Sequence, residues 1–285
     1  MTPALLQLQT QFIAEFDQYA ANSLKQLSLK LPEVKVLWES LNYSFESGGK
    51  RFRPFLTSLV VNAYSQSQNY LPFALATEMI HTYSLIHDDL PCMDNDDFRR
   101  GKPTNHKVFG EDIALLAGDA FLTQSLSLLA HEYAENPKLA VDLIKLLSTK
   151  AGALGMIGGQ VLDMKSTADI TLSQLELMHR LKTGALIEAS VMGGAFICEA
   201  TAEEADAFAN YAQATGLAFQ IKDDILDAGE KDQDFKSFIN LLGMDKTKAE
   251  LQKQVDISLQ ALSTLEHLNT QPLKDLVIYN QTRNK

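Results

Sequence analysis

Two short runs of aspartate residues lie far apart in the sequence, and each follows an apolar helical pattern. The first occupies residues 88–94 (DDLPCMD) and the second residues 223–227 (DDILD). Oxygen ligands without a histidine or cysteine cluster favour a hard cation, Mg²⁺ or Mn²⁺. A single Asp-Asp pair is usually a solvated, acidic helix end. Two such runs on separate helices instead predict that they face each other across a cavity and hold several cations.

Basic residues next to these runs indicate a phosphate-bearing substrate. Arg99 and Arg100 follow the first run, and the planar fork of arginine suits phosphate oxygens. Lys50 and Arg53 lie at a predicted helix start, where unpaired N–H groups and the helix dipole attract anions. For any one of these residues alone, an exposed surface cation is the more common interpretation.

Two further residues could complete such a site. His81 precedes Asp88 by seven residues, or nearly two helical turns, so both side chains share a helix face. A hydrogen-bonded core histidine is the equally weighted alternative for His81. Lys182 and Thr183 place an ammonium and a hydroxyl within an otherwise apolar helical pattern.

The elements that must position these residues are predicted to be helices. Thr171 and Thr201 each begin a capping box, and Pro54 suits a first helical turn. Residues 113–130 and 205–227 are long, rich in Ala and Leu and free of proline. There is no series of alternating strands and no repeat. The sequence therefore predicts an all-α protein, a single large helical bundle around a central cavity.

Bulk properties narrow the class of protein. The 285 residues are 46% hydrophobic and no Pro/Gly/Ser-rich linker divides them, which predicts one domain over residues 1–285. A net charge of −11 argues against nucleic-acid binding. Two cysteines imply no disulfide framework and favour a cytoplasmic location. The first ten residues lack a basic start and a continuous apolar core, so no signal peptide is expected. No uncharged apolar run approaches the roughly 18 residues of a membrane span.

Several motifs occur in an order typical of one family. They are residues 48–54 (GGKRFRP), the first aspartate run, 99–104 (RRGKPT), 118–119 (GD), 159–163 (GQVLD), 182–184 (KTG), 219–220 (FQ) and the second aspartate run. Over nearly its whole length the chain resembles the trans-isoprenyl diphosphate synthases, and within them the bacterial farnesyl diphosphate synthases. The first aspartate run has the bacterial form, with two extra residues between the aspartates.

This resemblance implies an isoprenoid synthase fold, a homodimer and a set of catalytic residues. The reaction would be head-to-tail transfer of a prenyl group from an allylic diphosphate, dimethylallyl or geranyl, to isopentenyl diphosphate, with release of pyrophosphate. By position, the metal ligands would be Asp88, Asp94, Asp223 and Asp227, the last through water. The catalytic residues would be Asp88, Asp89, Asp94, Lys182 and Asp223.

The resemblance also divides the remaining residues between two substrates. Those carried over for the allylic diphosphate are Arg99, Lys182, Thr183, Gln220 and Lys236. Those carried over for isopentenyl diphosphate are Gly49, Lys50, Arg53, His81 and Arg100.

The sequence departs from the family pattern in two places. Asn95 replaces a usual aspartate beside Asp94. The segment after Asp227 is shortened and lacks part of a loop that carries a Gly-Lys pair, and Lys231 is a candidate substitute for the lost lysine.

Product length is predicted from the helix that leads to Asp88. Tyr83 lies five residues before Asp88, about 7.5 Å along a helix, and Ser84 beside it is small. A bulky ring at this depth limits the growing chain, and in the family it accompanies short products. Farnesyl diphosphate is the expected product, with geranylgeranyl or geranyl diphosphate as alternatives.

Three rival functions fit parts of the pattern. A terpene cyclase shares the fold and metals but needs no second diphosphate-binding set, such as Lys50, Arg53 and Arg100. A non-catalytic partner subunit of a heteromeric synthase would be expected to lose an acidic run. A metal phosphohydrolase built on His87 and Asp88 lacks a ligand pattern among the other histidines.

Overall fold

A computed structural model describes residues 1–65, 68–228 and 235–284, and their regular secondary structure is almost entirely helical. This confirms the all-α prediction. The helices are α1 (Pro3–Ser28), α2 (Lys35–Phe45), α3 (Phe52–Ala63), α4 (Leu71–Asp88), α5 (Asn105–Phe109), α6 (Glu111–Glu132), α7 (Pro137–Ala151), α8 (Met156–Lys165), α9 (Leu172–His179), α10 (Ala185–Ile197), α11 (Ala202–Leu226), α12 (Phe238–Leu242), α13 (Met244–Ser263) and α14 (Gln271–Thr282).

Short elements of other kinds interrupt this pattern. A 3₁₀ turn spans Pro32–Val34, and a π-helical segment spans Arg180–Gly184. Two strands, β1 (Phe98–Arg99) and β2 (Lys102–Pro103), form an antiparallel hairpin. Its two central residues, Arg100 and Gly101, both have positive φ, as a type I′ turn requires. The sequence pattern did not predict the hairpin or the π-helical segment.

The chain forms two compact units. The first unit comprises residues 10–55 and 71–144, and α4 packs along α6 within it. Its core holds a chain of aromatic rings, with centroids 5.5 Å apart between Phe12 and Phe16 and 6.1 Å apart between Phe45 and Phe121. Burial of these rings contributes apolar packing between α1, α2 and α6 in this unit.

The second unit comprises residues 1–9, 56–70 and 145–285. Within it α11 packs against α10 and α13, and Phe208, Tyr211 and Ile221 on α11 are fully buried. The single domain expected from the sequence stays a prediction.

Two predicted helix starts are confirmed. The side chain of Thr171 accepts the backbone N–H of Gln174, and that of Thr201 accepts the backbone N–H of Glu204, each within a complete capping box. Such caps satisfy backbone donors that the first turn leaves without partners. They fix where α9 and α11 begin.

Within the described residues, α6 is the one helix whose length and composition would allow it to cross a membrane. Of its most apolar window, 39% is buried inside the protein. Core helices of ordinary globular proteins pass the same test, and α6 packs on α4 and α2. The absence of a membrane span therefore stays a prediction.

Candidate active site

The first aspartate run begins where α4 ends. Asp88 is the last residue of α4, and the loop after it folds back because the backbone N–H of Asp94 donates to the carbonyl of Asp88 over 2.9 Å. Asp94 is exposed and Asp88 is half-buried. Asn95 has a φ of 55°, a left-handed conformation that asparagine tolerates better than most residues. That backbone requirement is one physical reason for asparagine at this position.

Asp89 differs from its neighbours because it is buried and paired. The Nε of Arg99 donates to its two oxygens over 2.7 and 3.0 Å, and Nη2 of Arg99 lies 2.6 Å from Oδ1. Burial raises the pKa of Asp89, and the Arg99 contacts oppose that rise. Asp89 thus holds Arg99 in place, and its assignment as a catalytic residue stays a prediction.

A cationic cluster lies in the same unit. His81 is close to both Arg53 and Arg100, and burial followed by these two guanidinium groups holds the pKa of His81 well below its usual range. Burial also lowers the pKa of Arg53 and of Arg100, and the carboxylate of Glu78 opposes this in both. Three of the predicted isopentenyl diphosphate ligands are therefore brought together, with positive charge crowded around a neutral imidazole.

The remaining residues of that set lie at the edge of the cluster. Gly49 and Lys50 are exposed. Nη1 of Arg100 donates to the carbonyl of Gly48, and a Cβ added to Gly49 would lie 2.8 Å from the same Nη1. Arg100 itself has a φ of 54° at the tip of the β1–β2 hairpin. The glycine pair and the hairpin together set the position of this guanidinium.

Arg51 lies next to this cluster in the chain and is buried. The sequence pattern gave it no role. Its guanidinium donates to Asp17 over 3.0 Å and to Glu78 over 3.1 Å, and it lies 4.5 Å from the ring centroid of Phe45. Its φ is 46°, so its backbone is also left-handed. The signal available in the sequence is its place inside the basic motif at residues 48–54, whereas its burial and its carboxylate partners are visible only in the structure.

The second aspartate run closes α11. Asp223 receives a hydrogen bond from Nη2 of Arg283, whose guanidinium lies over the Phe219 ring at 4.7 Å. Asp224 accepts the backbone N–H of Phe238 over 2.6 Å, and Asp227 is the exposed C-cap of the helix. The predicted metal ligand Asp223 is therefore ion-paired here. Arg283, near the end of the chain, was not found by sequence reasoning.

The predicted allylic diphosphate residues of the second unit meet at another carboxylate. Lys182, in the π-helical segment, and Lys236 both donate to Asp163 on α8. Burial raises the pKa of Asp163, but the hydrogen bonds from the two lysines outweigh it and leave the pKa lowered. The π-helical segment also contacts α11, where Gln220 is half-buried, and Thr183 is half-buried beside Lys182. Lys231 lies outside the described residues.

The predicted chain-length residues lie on α4. Tyr83 is buried, and its ring meets the imidazole of His87 edge-on with centroids 5.7 Å apart. Burial and the nearby Asp88 raise the pKa of Tyr83 to about 12, so the phenol is neutral at physiological pH. Among the described residues its Oη has no hydrogen-bond partner. Ser84 is half-buried and donates to the carbonyl of His81 over 2.9 Å.

The two aspartate runs fit a hard divalent cation by their donor chemistry. Each offers carboxylate oxygens at a helix end, and Asp94 is tied by its backbone to Asp88. In the part of the chain that the structure describes, no group of three or more His, Cys, Asp or Glu side chains is gathered as a ready metal cage. Among hard cations, Mg²⁺ commonly takes one or two carboxylates and completes its shell with water and substrate phosphates.

The chain is similar to known prenyl synthases. The family model for polyprenyl synthetase matches residues 34–242. The farnesyl diphosphate synthase of Bacillus subtilis is 45% identical over 222 residues, covering 76% of this chain and 75% of the relative. The chloroplastic geranylgeranyl pyrophosphate synthase of Capsicum annuum is 38% identical, covering 91% of this chain and 76% of the relative. The apo crystal structure of an FPP/GFPP synthase from Zymomonas mobilis superposes with a TM-score of 0.86 at 34% identity, covering 98% of this chain and 100% of that one.

Proposed function

We propose that this chain, which belongs to the polyprenyl synthetase family, transfers an allylic prenyl group to isopentenyl diphosphate and makes farnesyl diphosphate. Its similarity to farnesyl diphosphate synthases supports this reaction and product. The geranylgeranyl synthases among its relatives make geranylgeranyl diphosphate the second candidate product.

The strongest structural support for this reaction is the cluster of Arg53, Arg100 and His81. Crowded guanidinium groups around a neutral imidazole are costly unless an anion is bound among them. This cluster belongs to the first unit, whereas the lysines on Asp163 belong to the second. A prenyltransferase needs two diphosphate sites of this kind, and a terpene cyclase needs one.

Magnesium is the metal proposed for this reaction, with manganese as the alternative. Asp88, Asp94, Asp223 and Asp227 would hold several such ions. A divalent cation held by these aspartates would neutralise the allylic diphosphate and make pyrophosphate a better leaving group. Removal of the metal with a chelator should abolish turnover, and Mg²⁺ or Mn²⁺ should restore it.

The side chains of this protein would then bind and orient the reactants. Lys182, Lys236 and Arg99 place fixed positive charge where negative charge builds up on pyrophosphate as the C–O bond breaks. Arg53 and Arg100 hold isopentenyl diphosphate so that its double bond attacks the allylic cation and forms the new C–C bond. The proton lost from the adjacent carbon goes to the departing pyrophosphate. No protein nucleophile is needed.

Tyr83 is proposed to set the product length. Its buried ring would stop the growing chain below Asp88, and Tyr83→Ala should therefore lengthen the product beyond the farnesyl group. Chromatography of the extracted prenyl alcohols would measure this, with Tyr279→Ala on α14 as control. An unchanged product in Tyr83→Ala would show that another residue forms the floor.

One assay separates the candidate functions. Purified protein is incubated with Mg²⁺, isopentenyl diphosphate and, in turn, dimethylallyl, geranyl or farnesyl diphosphate. Farnesyl diphosphate from the first two substrates is the expected product. Product from an allylic diphosphate alone would indicate a cyclase, and no product from any mixture would indicate a non-catalytic partner subunit.

A homodimer in the cytoplasm is proposed as the working state. Leu115 and Leu116 on α6 are about half exposed, which supports an apolar contact with a second copy. Cys92 and Cys198 are both free thiols, as expected for a reducing compartment. Sedimentation velocity of the purified chain tests the dimer, and Leu116→Asp should shift it towards the monomer.

A further inference from the structure

We propose that Asp163 is the positioning residue of the second unit's anion site: its single carboxylate holds Lys182 and Lys236 side by side, so that both ammonium groups meet a diphosphate together. The inference rests on the proposed function in one respect, since it takes these lysines as the allylic diphosphate site. It assigns a role in anion binding to Asp163, although the negative charge of Asp163 by itself repels a diphosphate.

The carboxylate of Asp163 bridges the two lysines, because each lysine donates to a different one of its oxygens. Nζ of Lys182 donates to Oδ2 of Asp163, and Nζ of Lys236 donates to Oδ1. Nζ of Lys236 also reaches the backbone carbonyl of Asp163 over 3.3 Å. The lysines lie 19 and 73 residues away in sequence, so this carboxylate joins three separate segments of the chain.

The bridge is shielded from water, which makes its geometry well defined. The side chains of Asp163 and Lys236 are each 17% exposed, and that of Lys182 is 32% exposed. Despite this burial the pKa of Asp163 is lowered, because the two lysines stabilise the charged carboxylate. Asp163 is therefore ionised at neutral pH and can hold both ammonium groups.

The backbone is arranged to bring Lys182 to α8. A Cβ added to Gly159 would lie 2.1 Å from the backbone nitrogen of Lys182, so only glycine allows this close approach. Lys182 sits within the π-helical segment, a wide turn often found at functional sites. Gly159 and Asp163 are one helical turn apart on α8, so the same face supplies both the space and the carboxylate.

Charge and donor counts explain why a carboxylate would help an anion site. Two neighbouring ammonium groups repel each other, and without Asp163 they would move apart into solvent. With Asp163 between them the three groups carry a net charge of +1. An ammonium has three N–H donors, so a lysine that gives one to Asp163 keeps others for phosphate oxygens.

The direction in which Asp163→Asn changes the affinity for pyrophosphate separates a positioning role from a simple charge effect. Asp163→Asn removes a negative charge, so electrostatics alone would tighten the binding of inorganic pyrophosphate. Positioning instead predicts binding about tenfold weaker, because the lysines are no longer held together. Isothermal titration calorimetry with pyrophosphate in EDTA measures this without metal or turnover. Tighter or unchanged binding in Asp163→Asn, or no binding by the wild type, would overturn the inference.

A double-mutant cycle tests whether Asp163 acts through the lysines. In the background Lys182→Gln/Lys236→Gln, Asp163→Asn should change pyrophosphate affinity by less than about twofold. A second tenfold loss in that background would show that Asp163 acts by another route. In the full assay, Asp163→Asn should raise KM for the allylic diphosphate and leave KM for isopentenyl diphosphate within about twofold. An equal rise in both would indicate a general structural defect and reject the inference.

Two further variants keep the test decisive. Asp169→Asn removes an exposed aspartate bonded to Thr167 in the same unit and should leave pyrophosphate affinity unchanged. Should Asp163→Asn lose native helix content by circular dichroism, Asp163→Glu carries the test. It keeps the charge but displaces it, and should weaken binding about threefold, whereas wild-type affinity would overturn the inference. A wild type that shows this binding pattern but makes no prenyl product would overturn the proposed function alone.

Discussion

The two cationic clusters keep positive charges close together in opposite ways. In the first unit Arg53, Arg100 and His81 crowd together, and burial with mutual repulsion lowers their pKa values. In the second unit Lys182 and Lys236 share the carboxylate of Asp163, whose pKa is lowered. The first cluster is under electrostatic stress that a bound anion would relieve, and the second is already neutralised in part and ordered.

The backbone at the two clusters also differs. Arg100 and Arg51 in the first unit have φ values of 54° and 46°, a conformation that disfavours ordinary side chains. In the second unit the comparable adjustment is the π-helical segment around Lys182 and the glycine at 159. A site with unfavourable charge and backbone must be held by the rest of the fold. Arg51, paired to Asp17 and Glu78, supplies that support.

The largest expected effect concerns the aspartates of each unit. Asp88→Ala and Asp223→Ala should each lower kcat by about two to three orders of magnitude, because metal-assisted stabilisation of the leaving group is lost. Steady-state assays with saturating Mg²⁺ measure this, and circular dichroism should show unchanged helix content. Asp142→Ala on α7 is the control. Near-normal turnover in either variant would reject the metal assignment for that unit.

The next effect is a difference in substrate affinity between the clusters. Arg53→Gln should raise KM for isopentenyl diphosphate about thirtyfold, and Lys236→Gln should raise KM for the allylic diphosphate by a similar factor, since each loses a charged hydrogen bond. Each variant should leave the other KM within about twofold. Lys138→Gln, an exposed lysine on α7, is the matched control. The opposite pattern of KM changes would exchange the two site assignments.

Smaller effects are expected on stability, and they should have opposite signs in the two clusters. Arg53→Gln relieves repulsion and should raise the free energy of unfolding by about 0.5 kcal/mol. Lys236→Gln leaves Asp163 with one ammonium partner and should lower it by about 1–2 kcal/mol. Urea denaturation of the ligand-free protein measures both. If both variants are destabilised alike, the first cluster is not under electrostatic stress.

The smallest effect is a pH dependence that belongs to the first cluster. The pKa of His81 is lowered in the folded state, so the unfolded chain binds the proton more tightly and stability falls as pH drops below about 6.5. Between pH 7.5 and 5.5 this should remove up to about 1.4 kcal/mol of unfolding free energy, a loss that His81→Gln should not show. Identical pH profiles for the two proteins would mean that His81 titrates normally.

The sequence determined the fold class, the family and the residue types at the site. Helical periodicity, two capping boxes and ordered motifs are local properties, and local pattern suffices to read them. The capping boxes at Thr171 and Thr201 appear as predicted because each depends on only four consecutive residues.

Only the tertiary structure decided which charges meet. Arg51, Asp163 and Arg283 had no assigned role because their charged partners lie 19 to 73 residues away in sequence. The β1–β2 hairpin and the π-helical segment were also not predicted, since each is too short to leave a periodic pattern. Charge pairing acts through space and depends on burial, and neither quantity can be read from residue spacing along the chain.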